Sequence, residues 1–187
     1  MSGMPSEDRV FRFVRMGDDR AGFMLAKPEK GVVLELGGDP YHSAFRPNMN
    51  IYPGPSVDIV GDASEGIPLP DNSVGIVFSK FLLEHVRTQR QDAFLRDCYR
   101  ILSQDGAVVM WVPNAMRLVT SMASNPRWTW AHIHALLGGD PWYPGNQHHM
   151  LYNPEIAVAL FSNAGFKNVS VWEAPTLPDE MIIEGWK

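Results

Sequence analysis

Residues 31–42 read GVVLELGGDPYH, which is the pattern of a buried strand that runs into a glycine turn. The strand is apolar apart from Glu35, and Gly37 and Gly38 follow it directly. Glycines at this position permit a tight turn and let a ligand approach the backbone closely. Asp39 then stands where a nucleotide-binding loop has one more glycine. The stretch therefore predicts a ligand-binding loop whose glycine pattern is altered.

Three later segments share the apolar or β-branched character of this strand, namely VDIVG (57–61), VGIVFS (74–79) and AVVMWV (107–112). Continuous runs of this kind are typical of parallel strands that are covered on both faces. Ligands of open parallel sheets bind at the carboxyl ends of the strands, so we expect the residues that follow these segments to carry the function. Few residues separate the glycine turn from the next extended stretch, and a full helix hardly fits between them.

A helix is predicted between the third and fourth of these strands, because apolar residues recur there at helical spacing: Phe94, Cys98, Ile101 and Leu102. Thr88 and Gln91 are spaced as in a capping box at the helix start. Gly106 is expected just past the helix end, where glycine commonly terminates a helix.

A second helix is predicted with Asn153 as its N-cap, Pro154 as its first residue and Gly165 as its terminator. The N-terminal segment 10–27 is ambiguous, because it fits either a hairpin that turns at 17–19 or an irregular arm over the sheet. Its β-branched and aromatic residues favour the hairpin. The alternation of strands and helices in the remaining chain predicts an α/β sheet layered by helices.

The composition predicts one domain that binds a small partner. The 187 residues, 45% of them hydrophobic, supply one full core, and no repeat or low-complexity linker indicates a domain boundary. The net charge of -5 is spread without a basic stripe, which disfavours nucleic acid. Cys98 is the only cysteine, no signal-peptide core begins the chain, and no apolar run reaches the ~20 residues of a membrane span. We expect a cytoplasmic protein without nucleic-acid or membrane partners, of an oligomeric state that the sequence does not reveal.

The order of these pieces resembles the class I S-adenosylmethionine-dependent methyltransferases, particularly the small single-domain kind with a shortened first helix. The matching passages are VLELGGDP (33–40), GDASEGIPLPDNSVGIVFSKFLLEHV (61–86), YRILSQDGAVVMWVPN (99–114) and the closing AGF (164–166). The resemblance covers residues 31–172 and implies a Rossmann-like fold, with a mostly parallel central sheet and helices on both faces. It divides the chain into an N-terminal arm or hairpin, 1–30, and a methyltransferase-like domain, 31–187.

The resemblance further implies that S-adenosylmethionine is the cofactor and that its binding residues follow the strands. They are Glu35, Gly37, Gly38, Asp39, Asn50, Ile51, Asp62, Ala63 and Ser79. The glycine loop would hold the methionine moiety, and Asn50 would bond the ribose hydroxyls. Asp62 would accept the adenine amino group, with the backbone of Ala63 beside it. The carbonyl of Ser79 would face the ammonium group of the cofactor.

Three positions depart from the family pattern. Asp39 replaces a loop glycine, Asn50 replaces the acid that bonds ribose, and Gly75 replaces an aspartate. The neutral amide of Asn50 is a weaker acceptor than a carboxylate. Asp39 is expected either to adopt a turn or left-handed conformation or to face the positive charge of the cofactor. We expect cofactor binding to survive these changes.

Residues 115–152 are predicted to form a lid that binds the methyl acceptor. The segment is unusually aromatic, and its proposed substrate-binding residues are Trp128, Trp130, Trp142, Tyr143 and Tyr152. Such rings can close a pocket and exclude water, although each one alone is also explained by core packing. Candidate catalytic residues are His85, His148 and His149, because an imidazole that titrates near neutral pH can act as a general base on the acceptor. A structural role of these histidines is the alternative.

An alternative interpretation of the histidine-rich segment is a metal site, with ligands drawn from His132, His134, Asp140, His148 and His149. Their spacing matches no closed zinc pattern, so no metal is predicted. The sequence thus favours a methyltransferase that acts on an oxygen or nitrogen atom of a small or medium-sized acceptor. Two alternatives stay open: a methyltransferase-like binding or scaffold module without cofactor, and an α/β enzyme of another nucleotide, which the short first crossover disfavours.

Overall fold

A computed structural model describes residues 11–16, 20–25, 31–124, 134, 137–139, 145–174 and 177–187. Near the N-terminus, strands β1 (Phe11–Met16) and β2 (Arg20–Leu25) pair antiparallel in a two-stranded sheet of their own. This pairing corresponds to the hairpin alternative for the N-terminal segment.

The main sheet has seven strands in the order β5-β4-β3-β6-β7-β9-β8. The strands are β3 (Val33–Leu36), β4 (Asn48–Asn50), β5 (Ile59–Val60), β6 (Val74–Lys80), β7 (Leu102–Pro113), β8 (Lys167–Ala174) and β9 (Leu177–Trp186). Strands β3 to β7 pair in parallel, whereas β9 runs antiparallel to its neighbours β7 and β8. The mostly parallel α/β sheet predicted from the sequence is therefore confirmed.

Two apolar clusters cover the sheet, because successive residues of a strand point to opposite faces. The larger cluster takes Leu34, Val77 and Val108 from the strands and packs them against α1 (Thr88–Ile101) and α3 (Pro154–Asn163). The smaller cluster takes the alternate strand residues and includes the following side chains: Val33, Ile76, Phe78, Ala107, Val109, Trp111, Trp172, Ala174 and Ile182. A further helix, α2 (Ala115–Ser124), follows β7. Within the described residues, no helix is long and apolar enough to cross a membrane.

The helix ends agree with the sequence at α3 and differ at α1. Asn153 caps α3 by accepting the N–H of Ile156, and Gly165 follows with a φ of +107°. Helix α1 begins at Thr88 after an N-cap residue, Arg87, that makes no side-chain capping bond, so the predicted capping box is absent. The Thr88 hydroxyl instead bonds to another segment of the chain. The predicted glycine stop is also wrong, since the helix ends at Ile101 and Gly106 lies within β7.

The strand order reverses direction at β3, because β4 and β5 lie on one side of it and β6 and β7 on the other. The carboxyl ends of β3 and β6 therefore face a crevice, which is where ligands bind in open parallel sheets. The connection from β3 to β4 contains bends and no helix, in keeping with the short crossover read from the sequence.

Candidate functional site

A pocket lies at the carboxyl ends of β3, β4 and β5, next to the crevice between β3 and β6. It encloses about 610 Å³ of empty space, part of which is open to solvent. The lining residues are Gly37, Met49, Asn50, Ile51, Tyr52, Gly61, Asp62, Ala63, Leu82, His85, Gly145 and Asn146. Six of the predicted site residues are thereby brought together: Gly37, Asn50, Ile51, Asp62, Ala63 and His85.

The glycine loop is held in place by Asn48, a fully buried residue of β4. Asn48 Oδ1 accepts the N–H of Gly38 at 3.1 Å, and Nδ2 donates to the carbonyls of Gly38 and Ser56 at 3.3 and 2.9 Å. A Cβ atom on Gly38 would lie 2.9 Å from Asn48 Oδ1 and 2.5 Å from Glu35 Cδ, so the close approach requires glycine. Sequence reasoning missed Asn48. The signal was its spacing of two from Asn50, which places both amides on one face of a strand.

Asn50 lines the pocket, but both ends of its amide already have partners. Nδ2 donates to the Gly38 carbonyl at 2.8 Å, and Oδ1 accepts the N–H of Tyr52 at 2.8 Å. The amide thus ties the glycine loop to the end of β4. A carboxylate could accept from Tyr52 but could not donate to Gly38. This pairing gives a physical reason for asparagine at a position where the resembled family has an acid.

Glu35 and Asp39 shape the loop from outside the pocket wall. Glu35 Oε2, which is buried, accepts the Ser43 hydroxyl and the Phe45 N–H, both at 2.7 Å. Asp39 Oδ1 accepts the N–H groups of Tyr41 and His42 at 2.7 and 2.9 Å. These two hydrogen bonds hold the pKa of Asp39 below its usual range, and the bond from the Tyr41 N–H has the larger effect. Asp39 therefore forms the turn that was one of its two predicted roles, without the left-handed backbone, and its carboxylate is not among the pocket-lining groups.

Asp62 brings a carboxylate to the pocket wall. Its Oδ1 accepts the N–H and the hydroxyl of Ser64 at 2.9 and 2.7 Å. Among the described residues, its Oδ2 has no hydrogen-bond partner and can accept a donor from a ligand. Ala63, beside it, is buried in the same wall. Both residues therefore line the pocket, and their contact with the adenine of the cofactor stays a prediction.

A second wall is formed where a returning segment, residues 145–149, lies against the 3₁₀ turn Leu83–His85, and from this segment Gly145 and Asn146 line the pocket. His85 Nδ1 lies 3.1 Å from the Gln147 carbonyl, and the N–H of His149 donates to the Glu84 carbonyl at 2.7 Å. The Thr88 hydroxyl donates to the His149 carbonyl at 3.0 Å. Burial lowers the pKa of His85 below its usual value.

Behind His85 lie the side chains of Glu84 and His148. The rings of His85 and His148 meet edge to face, with 4.8 Å between their centroids. The Glu84 side chain is buried, which, with the nearby charge of Glu180, raises its pKa to about 8. The imidazole of His149 is exposed, and this residue contributes to the wall through its backbone.

The remaining predicted site residues are placed elsewhere or lie outside the described residues. Ser79 is fully buried on β6 and is not among the pocket-lining residues. Tyr152 is 1% exposed in the larger core, where its hydroxyl donates to the Leu83 carbonyl at 3.3 Å. Outside the described residues lie Trp128, Trp130, His132, Asp140, Trp142 and Tyr143. Sequence reasoning also missed Gly145 and Asn146, which carry no motif and reach the pocket only through the tertiary fold.

Known proteins resemble this chain in two ways, in the sequence of one segment and in the overall fold. Residues 43–110 match the methyltransferase domain family model. No curated protein sequence matches the chain. Solved structures with the same fold include a SAM-dependent methyltransferase of Archaeoglobus fulgidus, at 16% identity and a TM-score of 0.59, with 84% of this chain and 87% of that chain covered. Another is a SAM-dependent methyltransferase of Thermotoga maritima described as a possible histamine N-methyltransferase, at 15% identity and a TM-score of 0.57, with 84% and 82% covered.

A third similar structure is that of PigF with SAH, at 17% identity and a TM-score of 0.55. The alignment covers 83% of this chain and 50% of that chain. At these identities the likeness establishes the fold alone. The Rossmann-like methyltransferase fold expected from the sequence is confirmed.

Proposed function

We propose that the chain is a class I S-adenosylmethionine-dependent methyltransferase and that it methylates an oxygen or nitrogen atom of a small or medium-sized acceptor. The observation that carries this proposal is the pocket at the strand ends, where the glycine loop, Asp62 and His85 converge. S-adenosylmethionine supplies a methyl group on a positively charged sulfur, so the acceptor needs a lone pair aligned with that group. The proposal includes the expected cytoplasmic location, which fits a single free cysteine, Cys98.

The residues of the pocket fit such a cofactor by their chemistry. Gly37 has a φ of +73°, and a Cβ there would lie 3.2 Å from Leu82, so this loop brings bare backbone to the ligand. Asp62 Oδ2 is an acceptor suited to the adenine amino group, and the backbone of Ala63 lies beside it. Asn48 and Asn50 keep the loop in shape through the Gly38 peptide.

The chain contributes to catalysis mainly by orientation and by excluding water, which methyl transfer requires more than it requires a particular side chain. His85 lines the same pocket as Asp62 and is the imidazole that we assign to the acceptor and not to the cofactor. We retain residues 115–152 as the proposed acceptor lid. His148 supports His85 from behind, and His149 holds the wall through its backbone.

Calorimetric titration with S-adenosylhomocysteine tests the proposal without a known acceptor. We expect Asp62→Ala to weaken binding about tenfold or more, because the ligand's amino group loses a charged acceptor. The matched control is Glu65→Ala, which removes an exposed carboxylate of the same turn that does not line the pocket. Failure of the native chain to bind at millimolar ligand would favour the alternative, a methyltransferase-like module without cofactor.

A further inference from the structure

We propose that Glu84, His85 and His148 form a site for one divalent transition-metal cation of the zinc type, placed to hold an oxygen atom of the acceptor. This inference rests on the proposed function, since the acceptor would meet the cation inside the same pocket. It assigns the three side chains a shared role that their sequence spacing did not suggest. Among the described residues, they are a group whose carboxylate oxygen and imidazole nitrogens all lie within 4.8 Å of one another.

The distances suit a metal centre after small side-chain rotations. Zinc binds histidine nitrogen and carboxylate oxygen at about 2.0–2.2 Å, which places tetrahedral ligand atoms roughly 3.4 Å apart. Two histidines and one carboxylate are a ligand set found in catalytic zinc sites, where a fourth position stays open for water or substrate.

The backbone already holds the ligands in place without a cation. Glu84 and His85 come from the 3₁₀ turn after β6, whereas His148 comes from the returning segment. One bond joins these two segments, from the His149 N–H to the Glu84 carbonyl at 2.7 Å, and a second ties the returning segment to the start of α1, from the Thr88 hydroxyl to the His149 carbonyl at 3.0 Å. The N–H of His148 also donates to the Gly138 carbonyl at 3.0 Å.

The contact of His85 with the backbone sets its ring for ligation. Its Nδ1 lies 3.1 Å from the Gln147 carbonyl, which can only accept, so Nδ1 carries the proton and Nε2 keeps its lone pair. Metal-binding histidines characteristically donate their other ring N–H to a carbonyl or carboxylate in this way. Of the three ligands only His85 lines the pocket, so we place the open position of the cation on the side of His85, toward the pocket in which the acceptor would bind.

Glu84 gives the second, independent indication. Its side chain is 1% exposed, and its Oε2 has no hydrogen-bond partner among the described residues. Buried polar atoms in folded proteins nearly always have partners, so an unpartnered carboxylate oxygen beside two imidazoles indicates a missing ligand. A cation would supply that partner.

The cation would act on the acceptor and leave the cofactor's pocket contacts unchanged. An acceptor hydroxyl that coordinates it loses its proton to water more readily, because the positive charge stabilises the resulting oxyanion. A lone pair of that oxygen then forms the bond to the methyl carbon. The bond from methyl carbon to sulfur breaks as this bond forms, and its electron pair stays on the sulfur.

The test uses the full chain, freed of metal by a chelator and titrated with ZnCl2 by calorimetry and with CoCl2 by visible absorption. We expect one cation per chain and a cobalt spectrum of four- or five-coordinate type. Glu84→Gln and His148→Ala should each weaken binding at least tenfold, whereas His42→Ala, which removes an exposed imidazole beside Asp39, should leave it unchanged. If the Glu84→Gln variant does not fold, the His148→Ala variant still tests the metal site, because it changes a partly exposed side chain.

The result that overturns the proposal is absent or multiple weak binding, or binding that the Glu84 and His148 variants leave unchanged. S-adenosylhomocysteine titration of the same metal-free samples separates this outcome from failure of the proposed function. A chain that binds S-adenosylhomocysteine but neither cation keeps the methyltransferase proposal and loses the metal site. A chain that binds the cation alone loses the methyltransferase proposal.

Discussion

Asn50 illustrates how a single residue determines the shape of the cofactor pocket. Its amide donates to the Gly38 carbonyl and accepts from the Tyr52 N–H, both at 2.8 Å. We predict that Asn50→Asp, which restores the family's acid, weakens S-adenosylhomocysteine binding. The carboxylate cannot donate to Gly38 and would set a negative charge against its carbonyl oxygen. The Gly38 carbonyl keeps its bond from Asn48 Nδ2, so the change costs about the net value of one hydrogen bond, 0.5–1.5 kcal/mol, and calorimetry should show a loss of roughly twofold to tenfold.

The matched control is Asn72→Asp, which keeps the acceptor toward Lys187 at 2.8 Å and lies far from the pocket. Its affinity should equal that of the native chain. Tighter binding by Asn50→Asp would contradict our account, because it would mean that the side chain at residue 50 bonds the ligand directly and not the loop.

At the scale of single residues, the sequence predicted which residues line the pocket better than it predicted what each side chain does there. Asp62 and Ala63 lie at the pocket as expected, since residues that directly follow a strand stay near its carboxyl end. The role of Asn48 was not foreseen, because it depends on the approach of the Gly38 peptide from another segment. Tyr152 looked like a lid residue by its neighbours in sequence, yet it is buried beside Leu83. Contacts between distant segments are not encoded in local patterns.

Among the elements, helix α1 is joined to the returning segment by its first residue. The Thr88 hydroxyl donates to the His149 carbonyl at 3.0 Å. We predict that Thr88→Val lowers the free energy of unfolding by about 1 kcal/mol, the net value of one hydrogen bond. Amide exchange at His149, whose N–H bonds to Glu84, should also become faster, because the wall of the pocket is held less firmly.

Thr120→Val is the control for this change, since the Thr120 hydroxyl bonds to the Met116 carbonyl within its own helix. It should leave exchange at His149 as it is. Equal exchange in native chain and Thr88→Val would show that this hydroxyl does not hold the two segments together.

The elements themselves were largely predictable, whereas their ends were not. Apolar runs identified β3, β6 and β7, because a strand that is buried on both faces has a nearly continuous run of apolar residues and does not alternate between apolar and polar ones. The capping box at Thr88 failed because the hydroxyl found a better-placed carbonyl on a distant segment. β7 begins directly after α1, and within β7 it is Asp105, with a φ of +59°, and not Gly106 that takes the left-handed conformation. Such choices depend on tertiary contacts.

For the molecule as a whole, Cys98 reports on global stability. Its side chain is fully buried in the larger core, and burial raises the pKa of the thiol well above its usual value. In the native chain the thiol therefore stays protonated, and the reactive thiolate stays scarce, even at a pH equal to the ordinary thiol pKa. We predict that a thiol reagent labels Cys98 only at the rate at which the chain unfolds, which kinetics in increasing denaturant can measure.

The control is the chain unfolded in denaturant. Its only cysteine, Cys98, should react with one equivalent of the reagent at the rate of a free thiol. Rapid labelling of Cys98 in the native chain would contradict the core described above. It would show that α1 separates from the sheet without global unfolding.

The fold of the whole molecule was predictable because parallel strands, short crossovers and strand-end loops recur in one order along the chain. The pocket was predictable only in part: the predicted lid, 115–152, included residues 145–149, but no local pattern indicated that Gly145 and Asn146 line the pocket. The function therefore depends on whether these two walls bind one ligand together.

The measurement that tests this claim most directly is a titration of the 15N-labelled chain with S-adenosylhomocysteine, followed by amide NMR. We predict saturable shifts at Gly37, Gly61, Ala63 and Gly145, which represent both walls of the pocket. Amides beside the separate cavity at Thr120 and Val171 should not move. Absence of shifts at millimolar ligand, or shifts confined to that second cavity, would contradict the account.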